Sequence, residues 1–159
     1  MKPVTFFGFI FIVLFSAFIK NVGKTEFYNA FSGKTEDEIA DMIAVLATET
    51  SSSLNLAYQG ALYMKKADFV KGVNSKVKIF KKGAQMLEGE IKKKPTNAEY
   101  RFLRLAVQEH APKILKYNKN LDEDKKIVTE AFKTLEPELK KIVKKYAASS
   151  AVIKIDDLQ

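Results

Sequence analysis

The stretch VKIFKKGAQMLEGEI, residues 77–91, decides the fold class. Its apolar and small side chains, Val77, Phe80, Gly83, Ala84, Leu87 and Ile91, return at three- and four-residue steps with polar residues between them. That spacing puts them on one face of an α-helix, because 3.6 residues make a turn. The helix must stop at Lys94-Pro95, where proline lacks an N–H and clashes with a continuing helix. No run alternates apolar and polar residues over a useful strand length, so the chain reads as all-α.

Working back from residue 77, a break containing Gly72 and Asn74 separates this helix from an earlier one with Leu54, Tyr58, Ala61, Leu62 and Met64 on its apolar face. The serines at 51–53 cap that helix, and Gly60 offers a point of close approach. Before it, Thr35 and Glu38 form a capping box for a helix carrying Ile39, Met42, Ile43 and Leu46. Phe27 to Phe31 reads as a short apolar turn that stops at Ser32-Gly33.

Working forward, Asn97 caps a helix from Glu99 to about His110 that is apolar on most sides, which marks it as the central helix. Pro112 ends it. A fifth helix starts at Asn120, with Asp122 and Glu123 near the positive end of its dipole, and buries Ile127, Val128, Ala131, Phe132 and Leu135. A sixth starts with Pro137 in its first turn and buries Leu139, Ile142, Val143 and Tyr146. Six helices with short connections predict successive antiparallel hairpins, as in a tetratricopeptide-like array or a compact bundle. The expected organisation is a single helical domain over 24–150, followed by a loosely held tail at 151–159.

Residues 1–23 are set apart. Lys2 precedes an uncharged apolar run from Val4 to Ile19, and Lys20 follows it. The run is shorter than the roughly 20 residues of a comfortable bilayer span, which favours an export signal over a permanent anchor. A bulky residue stands two positions before each small residue near Ser16 and Ala17, so both readings stay open. Either one places the remaining 136 of 159 residues outside the cytoplasm, periplasmic or facing the periplasm. If the run is uncleaved, it makes the membrane a partner.

The chain has no cysteine, so an exported domain must rely on its core alone. A net charge of +8 comes almost wholly from lysine, since Arg101 and Arg104 are the two arginines. Nucleic-acid readers favour arginine forks and interleaved aromatic residues, and here the lysines sit on polar helix faces. Nucleic acid is therefore not an expected partner. One histidine and no cysteine cannot supply the three or four ligands of an ordinary zinc site, so no metal or other cofactor is expected. The seven glycines form no phosphate-cradling loop, and no serine stands in a nucleophile elbow. The acidic groups 36–38 and 122–124 fall at predicted helix starts, where capping accounts for them. The chain reads as non-enzymatic.

One polar stripe remains. Arg101, Arg104 and Gln108 share a face of the otherwise apolar central helix. Guanidinium forks on such a face could grip a partner's carboxylate or phosphate in a groove between hairpins. The alternative is neutralisation within the fold by acids such as Glu38, Asp41 or Glu99. His110 reads as a helix-terminal residue facing solvent.

Gly60 and Tyr63 on one helix, with Gly83, Leu87 and Pro95 on the next, resemble a tetratricopeptide-type hairpin. Glu90 stands where that repeat has a second small residue, so the hairpin is a degenerate one. The tracts Glu99–Arg104, Gln108–Lys113 and Leu115–Asn118 also resemble small exported helical proteins of Bacteroidota, a group without an assigned activity. The hairpin resemblance and the absence of a catalytic signature point to an envelope protein whose hairpin groove binds a protein or peptide partner, and the stripe of Arg101, Arg104 and Gln108 read from helical spacing supplies the candidate contacts. The other reading is a small-ligand or lipid-binding bundle whose pocket is lined by Tyr58, Tyr63, Phe80, Tyr100 and Phe102. An open groove with free arginines would favour the first reading and an apolar cavity the second.

Overall fold

The computed structural model describes residues 22–159, and the apolar run at the N-terminus lies outside them. Seven α-helices follow one another: α1 (Lys24–Phe31), α2 (Glu36–Thr48), α3 (Ser53–Lys66), α4 (Val73–Lys93), α5 (Ala98–His110), α6 (Leu121–Ala131) and α7 (Pro137–Ala147). Short 3-10 turns occupy Lys113–Leu115, Phe132–Thr134 and Ile155–Leu158. Among the described residues there is no strand.

The helix starts follow the capping chemistry. Thr35 and Glu38 exchange the two bonds of a capping box, and the side chains of Ser52 and Asn97 accept from the third residue of α3 and α5. Gly72, at φ +84°, makes the turn that lets α4 begin at Val73, one turn before the apolar period becomes visible in the sequence.

The seventh helix is α1, which the sequence showed only as an apolar turn. Two turns are too short to display a period, and tertiary contacts hold it. Phe27 is wholly buried, its ring stacked on Tyr58 at 3.6 Å between centroids. Lys24 reaches Glu99 on α5 at 2.6 Å and Glu136 before α7 at 3.2 Å.

Helices α3 and α4 form an antiparallel hairpin built on two glycines. A methyl group on Gly60 would lie 2.8 Å from the carbonyl oxygen of Gly83 and from the amide of Leu87, and one on Gly83 would lie 2.7 Å from the amide of Met64. Residues 60 and 87 thus meet, as do 64 and 83, and the backbones touch where side chains would hold them apart. Beside this hairpin α5 is buried on nearly every side, as expected of the central helix, with Leu103 and Leu105 wholly enclosed.

The segment after α7 differs from the loosely held tail expected at 151–159. Ile153 is wholly buried and Leu158 nearly so. Glu109 near the end of α5 fastens the segment, accepting from the Tyr146 hydroxyl, from the Ser150 hydroxyl at 2.6 Å and from the Ala151 amide. Lys125 of α6 adds an ion pair to Asp157 at 2.7 Å, so side chains on two distant helices replace the periodicity that fades after Ala147.

Candidate functional site

The two flanks of α5 hold the two features that chemistry could use. On one flank, Arg101, Arg104 and Gln108 do share a stripe, but they point inward, 5, 4 and 3% exposed, onto Asp124 of α6, which is 0% exposed. Arg104 approaches Asp124 with two nitrogens, Nε to Oδ2 at 2.7 Å and Nη2 to Oδ1 at 2.6 Å. Arg101 Nη1 donates to Oδ1 at 3.1 Å, and Gln108 Nε2 to Oδ2 at 2.8 Å.

The remaining capacity is also engaged. Arg104 Nη1 meets Glu88 of α4 at 2.8 Å, and Glu88 in turn accepts from the Tyr117 hydroxyl at 2.7 Å. Arg101 Nε donates to the Pro95 carbonyl at 2.7 Å and its Nη1 lies 3.1 Å from Glu123. Gln108 Oε1 accepts the Asn120 amide at the start of α6. Desolvation disfavours the charge on Arg104, yet the bonds and charges of Asp124 and Glu88 outweigh it and raise its pKa.

This knot corrects the candidate-site reading. The three residues are internal fasteners between α4, α5 and α6, and they offer no open face to a partner. The acids that neutralise them are Asp124, Glu88 and Glu123. Of the acids named from sequence, Glu99 serves elsewhere, accepting from Lys24 and from the Tyr58 hydroxyl at 2.6 Å. A signal for Asp124 did exist, because it precedes the wholly buried Val128 by one turn and so stands on the apolar face of α6.

On the other flank of α5 the chain leaves a cleft of about 440 Å³, bounded by α1, the end of α3, α4, α5 and α7. Tyr28, Met64, Phe80, Phe102, Val107 and Ile142 give it an apolar and aromatic floor. Phe102 is held edge-on by Tyr146 at 5.2 Å and lies 5.8 Å from Tyr28, so the floor is a set of interlocked rings. Lys65, His110, Lys141 and Lys145 also line it. His110 is exposed at the end of α5, its Nδ1 3.1 Å from the Ala106 carbonyl oxygen.

Two of the five aromatic residues expected in a pocket, Phe80 and Phe102, line this cleft. Tyr58 is committed to Phe27 and Glu99, Tyr63 lies under the Lys82 ammonium at 3.8 Å, and Tyr100 is buried away from the cleft. Comparison with protein-family models, with curated proteins and with solved structures found no match. The cleft and the knot therefore stand on their geometry alone.

Among the described residues no three histidine, cysteine or acidic side chains cluster so as to hold a metal ion, and no helix is long and apolar enough to cross a membrane. The strongly perturbed groups have structural causes. Burial and the Glu99 charge push the Tyr58 hydroxyl well up, and burial with the Glu109 bond does the same for Tyr146. Each of these tyrosines is a donor to a fixed carboxylate inside the fold.

Proposed function

We propose that this chain is a non-enzymatic binding domain of the cell envelope, exported or held there by its N-terminal apolar run, and that it encloses a small apolar ligand in the aromatic cleft beside α5. The observation that carries this reading is the cleft itself. Its 440 Å³ lies within the roughly 300–1,000 Å³ of small-molecule sites, and its floor is aromatic and aliphatic. The reading of a protein or peptide partner gripped by arginines loses its support with the closure of the knot around Asp124. The glycine contact between α3 and α4 supports the tetratricopeptide-like character of that one hairpin, which here serves as scaffold.

The test is binding of the neutral dye Nile red to the full-length chain and to an Ala106→Phe variant. Ala106 lines the cleft, so a phenyl ring there occupies the ligand's space. Dye binding should fall at least tenfold while circular dichroism stays helical. Unchanged binding in a folded variant would remove the cleft as the site.

A further inference from the structure

The cleft's charge goes beyond its shape. Lys65, Lys141 and Lys145 line it against one acid, Asp68, which leaves two positive charges. Lys65 and Asp68 answer each other at 3.3 Å. Lys141 and Lys145 form no ion pair with any described residue, stand one turn apart on α7, and are exposed. Glu138, one turn before Lys141, accepts from the amide of Thr25 at 2.8 Å and from its hydroxyl; it keeps its charge there and offsets Lys141 in part, without a direct ion pair.

Asn29, Ser32 and His110 add polar side chains to the lining, while two tyrosine hydroxyls there are committed elsewhere. The Tyr28 and Tyr146 hydroxyls point to Glu99 and Glu109. The cleft therefore joins an apolar floor to a rim on which Lys141 and Lys145 are exposed cations without a direct ion pair.

Building on the assignment of the cleft as the binding site, we propose that its ligand is a single-chain amphiphile with an anionic head, the chain on the aromatic floor and the head at Lys141 and Lys145. A neutral amphiphile would leave the two ammonium groups unanswered, and a cationic one would meet their repulsion. The chain sets affinity at about fourfold per buried methylene, and the head sets selectivity through two partly exposed charges.

The test uses the full-length chain and three twelve-carbon probes, dodecanoate, dodecanol and dodecyltrimethylammonium, each competing with Nile red below its micellar concentration. Dodecanoate should bind about tenfold more tightly than dodecanol, and the cationic probe more weakly than either. In a Lys141→Gln, Lys145→Gln variant the ratio of dodecanoate to dodecanol affinity should shrink to within about twofold, because both side chains are exposed and the ratio cancels any change in the apolar lining. Equal affinity for dodecanoate and dodecanol in the parent chain would overturn the assignment of the head group and leave the cleft standing as an apolar site. An advantage that survives in the glutamine variant would overturn the assignment to these lysines. Failure of the cleft itself has a separate signature, dye binding that is indifferent to Ala106→Phe.

Discussion

The two flanks of α5 handle burial in opposite ways. Towards α4 and α6 the helix presents two arginines and a glutamine, and every charge there meets a fixed partner, with Asp124 at the centre. Towards α1 and α7 it presents Phe102, Ala106 and Val107, which are largely buried yet line the bottom of the cleft. Charge in an interior demands local satisfaction, so a buried charged stripe tends to close on itself. Apolar surface makes no such demand, and a fold can leave some of it open for a ligand.

The largest effect should come from opening the closed flank. Asp124→Ala leaves two guanidinium groups and an amide buried around a vacancy, at a cost of about 3–5 kcal/mol, read as a lower urea midpoint. Replacing Asp124 and Arg104 together by leucine should recover part of that loss, since one guanidinium is removed with its partner and Arg101 keeps the Pro95 carbonyl and Glu123. If Asp124→Ala is harmless, the knot is not a fastener and the contrast between the flanks fails.

The scaffold that carries both flanks comes next. Gly83→Ala forces a methyl group against the Met64 amide and should destabilise the chain by about 1–3 kcal/mol. Thermal unfolding measures it, and a neutral result would mean that α3 and α4 can part without loss.

A smaller effect is expected at the C-terminal segment, and it depends on pH. Burial alone would raise the Glu109 pKa, but bonds from Ser150, Tyr146 and Ala151 lower it overall. A carboxylate lowered on folding stabilises the fold above its unfolded value of about 4.3, and that contribution disappears as pH falls through the folded value. Amide protection in residues 150–158, taken relative to the unstructured-chain exchange rate at each pH, should therefore fall below about pH 4 in the parent chain, while Glu109→Gln should show low protection already at neutral pH and keep only the acid dependence of the Lys125–Asp157 pair. Smallest of all, the Lys141→Gln, Lys145→Gln variant should keep its unfolding midpoint within about 0.5 kcal/mol, which separates ligand selectivity from stability.

Much of the scaffold was readable because helical period and capping are local. Thr35, Ser52, Asn97 and Pro137 mark real helix starts, and the Gly60 contact was anticipated from the missing side chain. What escaped is long-range. Whether Arg101 faces a groove or Asp124 depends on where α6 lands. Ile142 and Tyr146 have the spacing of core residues, but they are half-buried because the next layer is absent over part of them. Lys141 and Lys145 looked like any solvated lysines until α7 was placed against α1.

That placement also sets an order of events. Thr25 and Glu138, whose contact joins α1 to α7, are 113 residues apart in the chain. Contacts of such separation carry the entropy of closing almost the entire loop, so they form after the local hairpins. As the polypeptide emerges from the N-terminus, α1 waits without its partner until α7 has been made and released. The cleft, walled by both α1 and α7, is thus complete only once these two helices have met.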